Sequence, residues 1–173
     1  MKISEESVNN FKKLRDEKLD IGILAKGGIS FYYNTNVINY DIQLLSDKGY
    51  KIIEFDGEFI PTDAELHFFL MEKLNFPGYY GKNFDALNDC LRDFEVDLNG
   101  VVLVFRKLDY LNTRSVFHLL DIFAMHSRRN LVIGRHMIVL AQVENRKFSL
   151  KEPIGALNFW FWNEQEWFEA DRR

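Results

Sequence analysis

The chain carries one cysteine, Cys90, in 173 residues. No disulfide can close within it, which suits a reducing compartment. There are three prolines, and no apolar run approaches the ~18 residues that signal a membrane span. The opening M-K-I-S-E-E lacks the apolar stretch of a secretory signal. A cytoplasmic protein with no membrane partner is therefore expected. Also missing are H-x-x-x-H, G-x-S-x-G and a phosphate-cradling glycine loop. No catalytic residue, metal or cofactor is expected on that ground.

What is present is a foldable chain. The hydrophobic fraction is 47% and the aromatic fraction 15%, with 16 phenylalanines, enough for one domain with additions and a substantial core. Net charge is −4 but unevenly spread. Residues 54–99 hold 11 acidic and 3 basic side chains, while the flanking segments are close to neutral or mildly basic. A concentrated anionic surface disfavours nucleic acid and favours a basic protein.

The stretch Pro77–Leu91, P-G-Y-Y-G-K-N-F-D-A-L-N-D-C-L, is the most informative. Pro77, Gly78 and Gly81 put Tyr79 and Tyr80 on a tight loop. Asn83 is a good helix N-cap. Phe84, Leu87, Leu91 and Phe94 recur at helical spacing as a buried stripe. Asp85, Asp89 and Asp93 stack at four-residue intervals on a more exposed face. Read alone, this is either a solvated acidic face or a ladder of carboxylates aimed at a cation.

Elsewhere, Ser4–Lys18 reads as a short amphipathic helix, and Asp20–Ala25 with Ile29–Tyr33 as a β-hairpin through Lys26-Gly27-Gly28. Asp41–Lys48 reads as a short helix ended by Gly49. From Tyr50 strands alternate with helices: Tyr50–Phe55, a helix opened by a Thr62/Glu65 capping box, the acidic helix, Val101–Arg106, a helix over Thr113–Arg129, and Met137–Val143. The continuous apolar run Val101–Arg106 is that of a strand buried on both faces. This pattern predicts an α/β fold with a small, about three-stranded, parallel sheet over residues 50–143. A helix-plus-hairpin extension occupies 1–49, and an aromatic-rich extension occupies 144–173. The latter holds Phe159, Trp160, Phe161, Trp162, Trp167 and Phe168, expected to pack back onto the domain or to meet a partner.

Two rival chemistries remain open at this level. Cys90 with His118 or His126 could form a nucleophile–base pair, but Cys90 falls on the inward side of its helix, where a buried inert thiol is expected. Three carboxylates in line along one helix converge poorly on a metal ion. Arg128–Arg135 carries too few charges for a nucleic-acid footprint.

Pro77–Leu91, the strand–turn–helix before it and the order of later elements resemble the barstar family of intracellular ribonuclease inhibitors. The resemblance covers about Tyr50 to Val143. It implies a non-catalytic inhibitor, monomeric when free, that blocks the active site of a basic ribonuclease toxin in the manner of an immunity protein. By resemblance, Asp89 takes the place of a substrate phosphate, Asp85 is a second acidic contact, Tyr79 covers the catalytic histidine and Asn83 contacts the partner at the helix start. Asn88 stands where the family inhibitor has an interface tryptophan, and Asp121 is the candidate for an acidic contact from the later helix. A barstar-like module for a basic partner other than a ribonuclease is the alternative.

Overall fold

The computed structural model describes residue 10 and residues 13–155. Residues 13–17 are helical, while most of the expected Ser4–Lys18 helix and the six tail aromatics lie outside the described residues. The elements are α1 (Leu19–Ala25), β1 (Ile29–Tyr32), α2 (Thr35–Asp47), β2 (Lys51–Asp56), α3 (Asp63–Leu74), α4 (Phe84–Asp93), β3 (Val101–Arg106), α5 (Thr113–Val132) and β4 (Met137–Gln142). No described helix is long and apolar enough to cross a membrane.

The sheet has four strands in the order β1-β4-β3-β2, every neighbouring pair parallel. The α/β class with a small parallel sheet is as expected; the strand count and the hairpin are not. Asp20–Ala25 is helical. Leu19, Ile23 and Leu24 bury one side of α1, a helical spacing that a six-residue window also presents as strand-like. Gly27 and Gly28 both adopt positive φ, and their amides bond back to Leu24 and Ile23 carbonyls. The glycine pair thus terminates a helix and does not turn a hairpin. β1 then pairs with β4, Ile29 opposite Val139, more than a hundred residues away.

Helices cover both faces of the sheet. On one side Ile53, Phe55, Leu103, Phe105, Val139 and Ala141 pack with Leu66, Leu70, Leu87, Leu91, Leu119 and Phe123 from α3, α4 and α5. On the other, Val102, Val104, Ile138 and Leu140 pack with Leu19, Ile23, Leu24, Ile38 and Leu45 from α1 and α2. Every side chain of β4 is buried, as the apolar run Met137–Ala141 requires, and the buried Gln142 accepts from the Lys107 amide through its Oε1.

The cover over this second face is tied by a buried carboxylate. Asp41 is fully buried; its Oδ2 accepts from Arg15 Nη2 at 2.5 Å and from the Tyr32 hydroxyl at 2.8 Å. Removing one partner of such a pair leaves a charge without compensation. Arg15→Met is expected to lower stability by about 3 kcal/mol, the low end for a buried pair, because Arg15 keeps some solvent contact. The urea midpoint at neutral pH measures this.

Candidate functional site

The site is built on the α3–α4 connection. α3 ends at Asn75, which takes the left-handed conformation and redirects the chain. The Tyr80 amide bonds the Pro77 carbonyl at 2.9 Å, closing the tight turn the sequence predicts. Within that turn the two tyrosines part: Tyr80 is 4% exposed and Tyr79 82%. An aromatic ring left this open gains nothing for the fold.

Asn83 caps α4 by accepting from the Ala86 amide at 2.8 Å. Leu87 and Leu91 are buried and Phe84 half-buried, so the apolar stripe faces α5 and the sheet. Asp85, Asp89 and Asp93 are all exposed. Asp89 meets Arg92 one turn along at 3.4 Å, both largely solvated, an arrangement worth at most a few tenths of a kcal/mol. The carboxylate is therefore cheap to redirect toward a stronger cation.

Tyr79, Asp89 and Asp93 line one groove of about 350 Å³, with Phe76, Pro77, Cys90, Phe94 and Glu95. Lys51, at the start of β2, also reaches it. The groove therefore lies toward the N-terminal end of the sheet. Small ligands of open α/β sheets bind outside the carboxyl ends of the strands. At that end Arg106 pairs with Glu54 and Asn39, and Lys107 with Glu58. An acidic helix face with an aromatic at its rim suits a protein surface better than a metabolite.

Two expected contacts are engaged internally. Asn88 turns toward α5, its Oδ1 3.0 Å from His126 Nε2. Asp121 accepts from the Gly155 amide at 2.6 Å and is half-buried. Tyr79 and Asp89 meet at the groove, Asp85 lies one turn earlier on the helix, and Asn88 and Asp121 point into packed surroundings. In the sequence His67 and His126 read only as structural or surface histidines, and their partners stay hidden because a polar residue inside an amphipathic helix shows no periodicity of its own. His67 of α3 bonds Tyr80, and His126 of α5 bonds Asn88.

Cys90 packs against the core at the groove margin. Burial, then the Asp89 and Asp93 charges, push its thiol up, away from the thiolate a nucleophile needs. Among the described residues, no hydrogen bond joins Cys90 to His118 or His126, and no group of three His, Cys, Asp or Glu side chains could hold a metal.

Burial, with Arg129 adding to it, pulls His126 down to about 4. A histidine in the unfolded chain titrates near 6.5 and binds the proton more readily than folded His126 does. Stability is therefore full above about pH 6.5 and falls as pH drops toward 4, by roughly 2–3 kcal/mol. His67, also lowered by burial, acts in the same direction. Urea midpoints between pH 7.5 and 4.5 should fall, and His126→Gln should flatten that fall.

Comparison with known proteins bears on the same region. Residues 50–143 match the family model described as Barstar (barnase inhibitor). The protein named "Putative ribonuclease inhibitor YrdF", from Bacillus subtilis (strain 168), is 46% identical over 63 residues, 36% of this chain. The match spans 66% of that relative's length, just short of two thirds. A chain in the structure of Drosophila ORC bound to AT-rich DNA and Cdc6 superposes with a TM-score of 0.51 at 16% identity, over 82% of this chain and 50% of that one. That likeness concerns architecture alone. With the family model matching more than half of its residues, the cap, the open tyrosine and the acidic helix included, this chain belongs to the family of barstar, the barnase inhibitor.

Proposed function

We propose that this protein is a non-catalytic inhibitor that blocks the active site of a cytotoxic ribonuclease in the cytoplasm, as an immunity protein does. The observation that carries this reading is Tyr79, 82% exposed, beside Asp89 on a groove lined by three carboxylates and one lysine. A ribonuclease that cleaves without metal gathers Arg, Lys and His around a phosphodiester. A rigid helix presenting Asp89 and Asp85 to that cluster competes with RNA directly. Tyr79 supplies aromatic cover over the catalytic centre, and Asn83 holds the helix start. Asn88 and Asp121 support the site from behind, since each is already bonded within the chain. The eleven acidic residues of 54–99 provide a field that speeds encounter with a basic enzyme. The name of the Bacillus subtilis relative accords with this role.

The immobilised full chain should capture a basic protein from a lysate of its source. RNA cleavage by the captured protein should stop at one-to-one stoichiometry and be indifferent to EDTA. Capture of a basic protein whose activity is not RNA cleavage would favour a barstar-like module for another partner. Asn88, turned toward His126 where the family inhibitor has a tryptophan, favours that second reading. Metal-dependent turnover by the chain itself would overturn both.

A further inference from the structure

The open tyrosine and the acidic helix belong to different segments, and a single side chain touches what holds each. His67 is 3% exposed, in the middle of α3. Its Nδ1 lies 2.6 Å from the Tyr80 hydroxyl, and its ring meets Phe84, the first residue of α4, edge-on at 4.9 Å. Tyr80 is further seated on Phe76 at 5.1 Å between ring centres. Tyr79 follows the backbone that Tyr80 anchors, and Asp85 and Asp89 follow the helix that Phe84 begins. We propose that His67 is a positioning residue that holds the Tyr79 turn and the first turn of α4 in fixed relation. It thereby sets the distance between aromatic and carboxylate on the binding face.

A hydrophobic residue would fill this space at less cost, because a buried imidazole and phenol each need a hydrogen-bond partner. Their pairing spends burial on direction: an oxygen–nitrogen contact fixes a geometry that apolar packing leaves loose. Three backbone amides report on it. The Tyr80 amide closes the turn on Pro77, the Ala86 amide is held by the Asn83 cap, and the Val139 amide, bonded to Gly28, reports the sheet.

Amide hydrogen exchange on the full chain tests the clamp without any partner. Tyr80→Phe, which removes only the hydroxyl, should speed exchange at positions 80 and 86 by about tenfold beyond the change at Val139, as local opening does. His67→Leu should do the same. His67→Asn, which keeps a polar atom near the place of Nδ1, should restore position 80 and leave Ala86 fast, since it lacks the ring edge against Phe84. Acceleration that is uniform across positions 80, 86 and 139, or confined to the sheet, would make His67 an ordinary core residue and overturn the proposal. So would unchanged exchange in Tyr80→Phe, the variant least able to disturb folding. The inference rests on the inhibitor reading for its use but not for its test. A failed capture would remove the partner and leave the exchange pattern, whereas uniform acceleration would remove the clamp and leave the partner.

Discussion

Asp89→Ala is expected to weaken the complex with the captured ribonuclease by about 100-fold, mainly through faster dissociation. Asp89 stands on the outermost face of α4 beside the open Tyr79 ring, with its side chain 67% exposed. In the free protein it gives up only a solvated contact with Arg92, so almost all of a new charge-assisted bond appears as affinity. Once a partner covers the site, losing that carboxylate strands the partner's cation in a desolvated cleft, which is where large truncation costs arise. Asp93→Ala should change affinity by no more than about threefold, as a rim charge does. It sits in the last turn of α4, where the helix dipole already disfavours an anion. Raising the salt concentration should slow association of both variants and of the parent, because the encounter field is shared among many acids. Association and dissociation rates from surface capture measure all of this. Equal small effects at Asp89 and Asp93 would mean a diffuse acidic surface and not an inserted helix.

Deleting residues 1–49 should abolish the cooperative fold. That segment reads in sequence as an addition to a domain over 50–143, yet it supplies β1 and, through α1 and α2, the cover for one whole face of the sheet. Without it Val102, Val104, Ile138 and Leu140, all fully buried, face water. At about 2 kcal/mol for each side chain the loss is about 8 kcal/mol, within the 5–15 kcal/mol that typically stabilises a domain. The open edge of β4 would also invite pairing between chains. The truncated protein is expected to be aggregated or to lack a urea transition, by light scattering and circular dichroism. A soluble 50–173 fragment with an unaltered midpoint would show the first 49 residues to be an ornament.

Much of the site was legible because its determinants are local. Asn83 caps the helix through the amide three residues on, Leu87 and Leu91 repeat at the helical period, and Tyr79 is held by a turn that Pro77 and the flanking glycines dictate. Val101–Arg106 announced two covered faces by having no polar alternation, although nothing in it named the covering helices. The Thr62 cap on α3 was equally local.

Tertiary structure decided what depends on distant partners. Leu19–Ala25 has a short apolar pattern that fits either a strand or a helix, and only packing on β4 and α2 selects the helix. The pairing of β1 with β4 joins segments too far apart for any shared periodicity. The sequence does not name the internal partners of Asn88 and Asp121, which only folding supplies when α5 brings His126 to the one and Gly155 reaches the other. Helix starts, turns and inward faces follow from bonds a few residues long, which a sequence displays in order. Strand neighbours and the partners of buried polar groups follow from bonds between segments that only the folded chain brings together.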